Sequence, residues 1–178
     1  PRPISVCETN GETLTFVYAV VGAGTKEFTA LKVGDSISLN GPLGNGFNIT
    51  DDLGRVALVS GGIGTAPMLE VSKKLRQNKS DVKMDLYAGF RDDIYLIDEI
   101  KEYVDEAYVS TNTGKHGHKG FVTEILDLDK YDTVLCCGPE IMMKKVIEMC
   151  KEKQVKVYVS MEKHMAVSYT HLRAHETL

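Results

Sequence analysis

Three short stretches hold residue types at spacings that could do chemistry. "SGGIGTAPM" sets Gly61, Gly62 and Gly64 before Thr65 and Pro67. Glycines there let the backbone turn tightly beneath a phosphate, and a helix opening near Thr65 would aim free N–H groups at the anion. Pro67 suits a first helical turn, where its missing donor costs nothing. The string is not GxGxxG, so the ordinary dinucleotide fingerprint does not apply. "CCGPEIMM" places Cys136 and Cys137 ahead of Gly138 and Pro139. Inert packing is the default for a buried cysteine, but a small polarizable side chain at a strand end also leaves room for a flat ring. No neighbouring base that would make Cys137 a nucleophile is evident. In "GFRDD", Arg91 could meet a ribose 2′-phosphate, whereas Asp92 or Asp93 could accept from a ribose hydroxyl.

Metal chemistry has thinner support. The four cysteines, Cys7, Cys136, Cys137 and Cys150, show no paired CxxC spacing. His171 and His175 are four apart and would share a helix face, with His164 nearby. No metal ligand is assigned.

The elements that must position these stretches divide near residue 50. Before it the chain reads as short strands and turns without a helix: "LTFVYAV" is β-rich, "VGAGTKEF" a glycine turn, "GDSISLN" alternates, and "GPLGNGF" is a turn cluster. That pattern predicts part of an antiparallel sheet or barrel. After residue 50, "RVALVSGG", "VKMDLYAGF", "EAYVSTN", "DTVLCCGP" and "VKVYVSM" read as strands. Helical stretches alternate with them in "TAPMLEVSKKLRQ", "IYLIDEIKEYV", "FVTEILDLD" and "EIMMKKVIEMCKEKQ". This alternation predicts an α/β unit with a five-stranded, doubly wound parallel sheet, whose ligands would bind at the carboxyl ends of the strands.

The 178 residues are 43% hydrophobic and 26% charged, the balance of an ordinary soluble protein. A net charge of -4 gives no electrostatic reason to expect nucleic acid or an anionic membrane surface. No apolar run approaches the roughly 20 residues of a membrane span, and reduced thiols in the cytoplasm are expected.

In order along the chain, "RPIS", "FVYAV", "GAGT", "GPLGNGF", "GGIGTAPM", "GFRD" and "CCGPEIMM" resemble the ferredoxin-reductase-like flavoproteins. Within them the chain is most similar to the electron-transfer subunits of class B dihydroorotate dehydrogenases, from Arg2 to about Ala166. The resemblance implies a partial antiparallel FAD-binding barrel over residues 1–50 and an NAD-binding α/β domain over 51–166. It also implies a 2Fe-2S cluster held by a cysteine-rich segment that this chain does not contain. A partner subunit would oxidise dihydroorotate on FMN, within a heterotetramer serving pyrimidine biosynthesis. Electrons would then cross the cluster to FAD and reach NAD+ as hydride. An NADP-dependent ferredoxin or sulfide reductase subunit is the alternative in the same superfamily, and a nucleotide-binding module without redox turnover the alternative outside it.

Site residues follow motif by motif. Arg2, Pro3, Ile4 and Ser5 match the flavin-binding RPIS, in which a guanidinium can clamp the pyrophosphate. Val17, Tyr18 and Ala19 match the next flavin-contacting strand, with Ala19 where the family often has a basic residue. Gly24 and Thr25 match the diphosphate-contacting GT. Gly62, Gly64 and Thr65 match the nicotinamide-nucleotide loop, and Cys137, Gly138 and Pro139 the CGP that sets a thiol beside the nicotinamide.

A common transposase sequencing adapter translates to VSYTHLRAHET, the string at Val167–Thr177, so residues 167–178 are expected to carry neither fold nor site. Native segments are expected before Pro1 and after Ala166, and without the cluster segment the chain alone is not expected to complete the electron relay.

Overall fold

The computed structural model describes residues 3–49 and 52–161. Arg2, the boundary at residues 50 and 51, His164, His171, His175 and the string at 167–178 lie outside the described residues.

The first part is a two-stranded antiparallel sheet, β1 (Val6–Thr9) and β2 (Leu14–Phe16), followed by a one-and-a-half-turn helix, α1 (Ala23–Phe28). The hairpin closes on Asn10, whose Oδ1 accepts from the Glu12 and Thr13 amides. Two expectations need correction. "GAGTKEF" is helical: the Thr25 hydroxyl, in the first turn, accepts from the Val21 and Gly22 amides and so ties the incoming chain to the helix start. "GDSISLN" forms no strand: Ile37 and Leu39 stay exposed, and no described segment pairs with them. Alternation specifies a strand only where a partner takes up its hydrogen bonds.

The second part is a parallel sheet in the order β6-β5-β4-β3-β7-β8. Its strands are β3 (Val56–Gly61), β4 (Met84–Phe90), β5 (Glu106–Thr111), β6 (His118–Lys119), β7 (Thr133–Cys137) and β8 (Lys156–Ser160). The five expected strands are present and every pairing among them is parallel. The sixth, β6, is a two-residue edge strand, too short to leave a periodic trace. All six residues of β3 are buried, as a central strand covered on both faces requires.

Helices cover both faces. α2 (Ala66–Asn78) and α3 (Ile97–Lys101) close one side, where Met68, Leu69, Leu75, Ile97 and Ile100 meet Leu58, Leu86 and Leu135. α4 (Glu140–Lys153) closes the other, with Met143, Val146 and Cys150 against Val59, Val134 and Val157. The helical pattern of "FVTEILDLD" resolves into two 3-10 turns, Val122–Glu124 and Leu128–Lys130. The β1–β2 hairpin belongs to the α2 side: Cys7 is fully buried in that cluster, and Val17 and Phe47 pack against it.

Candidate functional site

The strand order reverses beside β3, with β4 on one flank and β7 on the other. A crevice outside the carboxyl ends of the strands at such a switch is where open α/β sheets bind ligands. The chain leaves β3 at Gly61 into a 3-10 turn, Gly62–Thr65, and enters α2 at Ala66. Gly62 has φ +53 with nothing within 4 Å of where a Cβ would stand, an open left-handed turn. Gly64 presses on the end of β7: a Cβ there would lie 2.6 Å from the Cys137 carbonyl carbon and 2.7 Å from Gly138 Cα. Gly138 in turn stands against the Gly61 amide and the Met142 methyl, each 2.8 Å from its absent Cβ. The glycines of the two motifs therefore meet, and they form one floor.

The Thr65 side chain faces inward. Its hydroxyl donates to Ser60 Oγ at 2.9 Å, and both residues are fully buried. Thr65 thus pins the turn to β3 and leaves ligand contact to the main chain. At the amino end of α2 no side chain caps the first turn and no acid lies within it. That combination suits an anion. The first turn of α4 carries Glu140 and suits one less.

The adjacent thiols diverge, as strand geometry demands. Cys136 lies in the α4-side cluster and Cys137 in the α2-side cluster, with Cys7 and the N-terminal hairpin. None of the four cysteines is in a disulfide. Burial pushes the Cys136 thiol up, reinforced by Cys137 and Cys150 nearby, so Cys136 stays neutral. Cys137 is 6% exposed at the strand end, and Pro139 beside it is exposed.

The residues matched to flavin binding lie in the first part. Pro3, Ser5 and Ala19 are exposed, and Ile4, Val17 and Gly24 half-buried. Tyr18 packs edge-on against Phe28, ring centroids 5.4 Å apart. Thr25 is buried, its hydroxyl donating to the Gly22 carbonyl.

Sequence reasoning missed the latch that holds the two parts together. The Thr9 amide and hydroxyl donate to the two Glu70 oxygens at 2.8 and 2.7 Å. Lys73 Nζ donates to Glu8 Oε1 at 2.8 Å and to the Thr9 carbonyl at 2.9 Å. Glu70 and Lys73 are one turn apart on α2, so the helix that opens at the glycine turn also carries the hairpin. These contacts span more than 60 residues, and no local pattern announces them.

The residues present fit a dinucleotide: a glycine floor, an uncapped helix start and the small strand-end residue Cys137 meet at one switch point. They do not fit an iron–sulfur centre. Among the described residues no group of three or more His, Cys, Asp or Glu could hold a metal, and the cysteines are split between two faces of the sheet. No described helix is long and apolar enough to cross a membrane.

Residues 58–148 match the family model of the oxidoreductase NAD-binding domain. The chain is 74% identical over 165 residues to the dihydroorotate dehydrogenase B (NAD(+)) electron transfer subunit of Clostridium perfringens, covering 93% of this chain and 67% of the relative. It is 50% identical to the subunit of that name from Clostridium acetobutylicum, over 93% of this chain and 65% of the relative. The chain thus spans about two thirds of the length of the curated relatives it matches. A solved NADH-dependent reduced ferredoxin-NADP oxidoreductase structure superposes with a TM-score of 0.81 at 33% identity, over 92% of this chain and 61% of that one. The FAD- and heme-bound flavohemoglobin of Malassezia yamatoensis shares the fold, with a TM-score of 0.63 at 22% identity over 85% of this chain and 44% of that one.

Proposed function

The chain belongs to the electron transfer subunits of dihydroorotate dehydrogenase B, and from that premise we propose that it holds FAD and NAD face to face and moves reducing equivalents between them. The observation that carries this reading is the orientation of Cys137. At the carboxyl end of β7 it looks to the side of the sheet that the N-terminal hairpin covers, while Cys136 looks away. A nicotinamide beside Cys137 would thus lie between the nucleotide floor and the proposed flavin segment.

Residues 1–50 are read as the flavin-binding part and 51–166 as the nucleotide-binding domain, with 167–178 outside both. On the flavin side, Pro3, Ile4, Ser5, Val17, Tyr18 and Ala19 would line the isoalloxazine, Arg2 would reach the pyrophosphate, and Gly24 and Thr25 would hold the diphosphate turn. On the other side, the amides of Gly62, Gly64 and Thr65 at the amino end of α2 would take the NAD pyrophosphate. Gly138 and Pro139 keep the main chain low beside Cys137, so that a ring can enter. The cofactors supply the hydride chemistry when bound. This chain's own residues orient the rings and exclude water, toward a reactive separation of roughly 3 to 3.5 Å.

In the whole protein, a catalytic partner bearing FMN would oxidise dihydroorotate, and a 2Fe-2S centre outside this chain's described residues would bridge to FAD. A cytoplasmic location is proposed with it, in keeping with four thiols of which none is in a disulfide. The test incubates the chain with FAD, removes the excess, and adds NADH without oxygen. Retained flavin absorbance that NADH bleaches is expected. A colourless protein that binds NAD+ would identify a non-redox nucleotide module. In the full-length protein with its partner, dihydroorotate should drive NAD+ reduction. Dependence on NADPH with ferredoxin or sulfide would overturn the assignment.

A further inference from the structure

We propose that Glu70 and Lys73 are positioning residues for hydride transfer: by clasping Thr9 and Glu8 they set how the flavin-binding hairpin stands over the nucleotide turn. This rests on the FAD and NAD reading above, and adds to it the side chains that fix the spacing of the two rings.

The hairpin carries both flavin-matched segments at its open end. Val6 pairs with Phe16, so Pro3, Ile4 and Ser5 run into β1 just where Val17, Tyr18 and Ala19 leave β2. Its closed end holds Glu8 and Thr9, and Thr9 stands roughly 13 Å along an extended strand from Ser5. α2 is built alike. The nucleotide turn Gly62–Thr65 forms its entry, and Glu70 stands roughly 7.5 Å along the axis from Thr65. Each element thus bears one cofactor segment and half of the clasp, so a slip at the clasp displaces one ring from the other.

Apolar packing alone does not choose the register. Cys7 lies between the flavin segment and the clasp, fully buried in the cluster that includes Ala66, Leu69 and Cys137. Such packing is non-directional and holds the hairpin on the helix without fixing where. The clasp supplies the direction. The Thr9 amide and hydroxyl take one Glu70 oxygen each, which fixes the plane of the carboxylate. Lys73 Nζ donates both to Glu8 and to the Thr9 carbonyl. The helix offers an acceptor at 70 and a donor at 73, and the strand offers their complements. A slip that brought Glu8 to the place of Thr9 would set acid against acid. Only 17% of the Glu70 side chain and 14% of that of Lys73 are exposed, so salt screens them less than a rim pair. Lys74 also approaches Glu70, at 3.7 Å, but that contact lies within the helix and fixes no distance between the two elements.

The experiment follows anaerobic reduction of the FAD-loaded chain by stopped flow across NADH concentrations, and separates the limiting rate from the NADH dissociation constant. Lys73→Met and Glu70→Gln should lower the limiting rate by about ten- to a hundredfold, the order of effect of moving a reacting ring by an ångström. The dissociation constant should stay within about threefold, since nucleotide binding and transfer are then separate steps. Thr9→Val should slow transfer by less, Thr9→Ser should stay near wild type, and Lys74→Met should change neither quantity. Amide exchange of β1, measured without cofactors, should quicken in the variants that lose rate. Quickened exchange with an unchanged limiting rate overturns the proposal. So does β1 exchange that no variant alters, or a limiting rate and an NADH affinity that fall together. Wild-type chain whose flavin NADH does not bleach would instead remove the cofactor reading, before any variant is compared.

Discussion

Gly64 lies so close to Cys137 that a Cβ would stand 2.6 Å from its carbonyl carbon. The glycine turn after β3 and the end of β7 are therefore one surface, and neither can move without the other. Gly64→Ala must push main chain against main chain. A loss of about 1–3 kcal/mol in stability is expected, the range for overpacking a filled site. NAD+ affinity should fall by more than tenfold. Urea unfolding and calorimetric titration check the two effects; Gly62→Ala, with open space around it but φ +53, should cost backbone strain and no packing clash.

The divergence of the two thiols gives a paired test. Cys137→Ala should slow hydride transfer between NADH and bound flavin by about ten- to a hundredfold, because displacing a ring by an ångström has that order of effect. Cys136→Ala, on the α4 side, should cost stability and leave the transfer step near wild type. Stopped-flow flavin absorbance measures the step directly. Equal effects of the two substitutions would remove Cys137 from the site.

Long periodic segments were legible in the sequence because a buried face imposes its period on the residues that make it. β3, β4, β7, β8, α2 and α4 all lie within a few residues of their expected spans. Short elements held by single contacts were not legible. α1 depends on the Thr25 hydroxyl, β6 on two residues beside β5, and α3 keeps only Ile97–Lys101 of a longer helical pattern. At the site, the glycines and Cys137 could be read because their types carry the chemistry. Glu70, Lys73 and Ser60 could not, since their roles arise only when distant segments meet.

The latch makes its own prediction. Glu70 accepts both the amide and the hydroxyl of Thr9, and only 17% of its side chain is exposed. Glu70→Ala should release β1 from α2 at a cost of about 1–3 kcal/mol. Flavin retention should drop while NAD+ affinity stays within a few fold, because the glycine turn is anchored separately through Thr65 and Ser60. Parallel dialysis and calorimetry distinguish the two, and equal losses of both ligands would argue against two separately anchored halves.

At the opposite end of the sheet, Asp85 is 1% exposed, and its Oδ2 accepts from the Tyr131 hydroxyl at 2.7 Å and from Arg55 at 2.9 Å. Its Oδ1 has no partner among the described residues, so the carboxylate depends on these two donors. Tyr131→Phe keeps the ring and removes one donor, and should destabilise by about 1–3 kcal/mol. Nucleotide affinity should not change, since the network lies at the amino ends of the strands. Chemical denaturation with and without NAD+ checks both statements.

Stability should also fall on the alkaline side. Burial holds the Cys150 thiol up at about 11, against an ordinary 9.0. It likewise raises Cys7, Tyr87 and Tyr95, and Tyr131 further with help from its hydrogen bonds to Tyr87 and Asp85. Between pH 9 and 11 the unfolded chain has lost the Cys150 proton and the folded chain keeps it. The folded state then binds more protons, so stability must decrease as pH rises through that window, whereas below 9 the contribution is present in full. For Cys150 alone the loss by pH 11 is about 2 kcal/mol. Urea midpoints should therefore be level from neutral pH to 9 and decline above it, and Cys150→Ala should make the alkaline limb shallower by about that amount. A midpoint unchanged from pH 7 to 11 would show that these thiols and phenols are not held neutral by the fold.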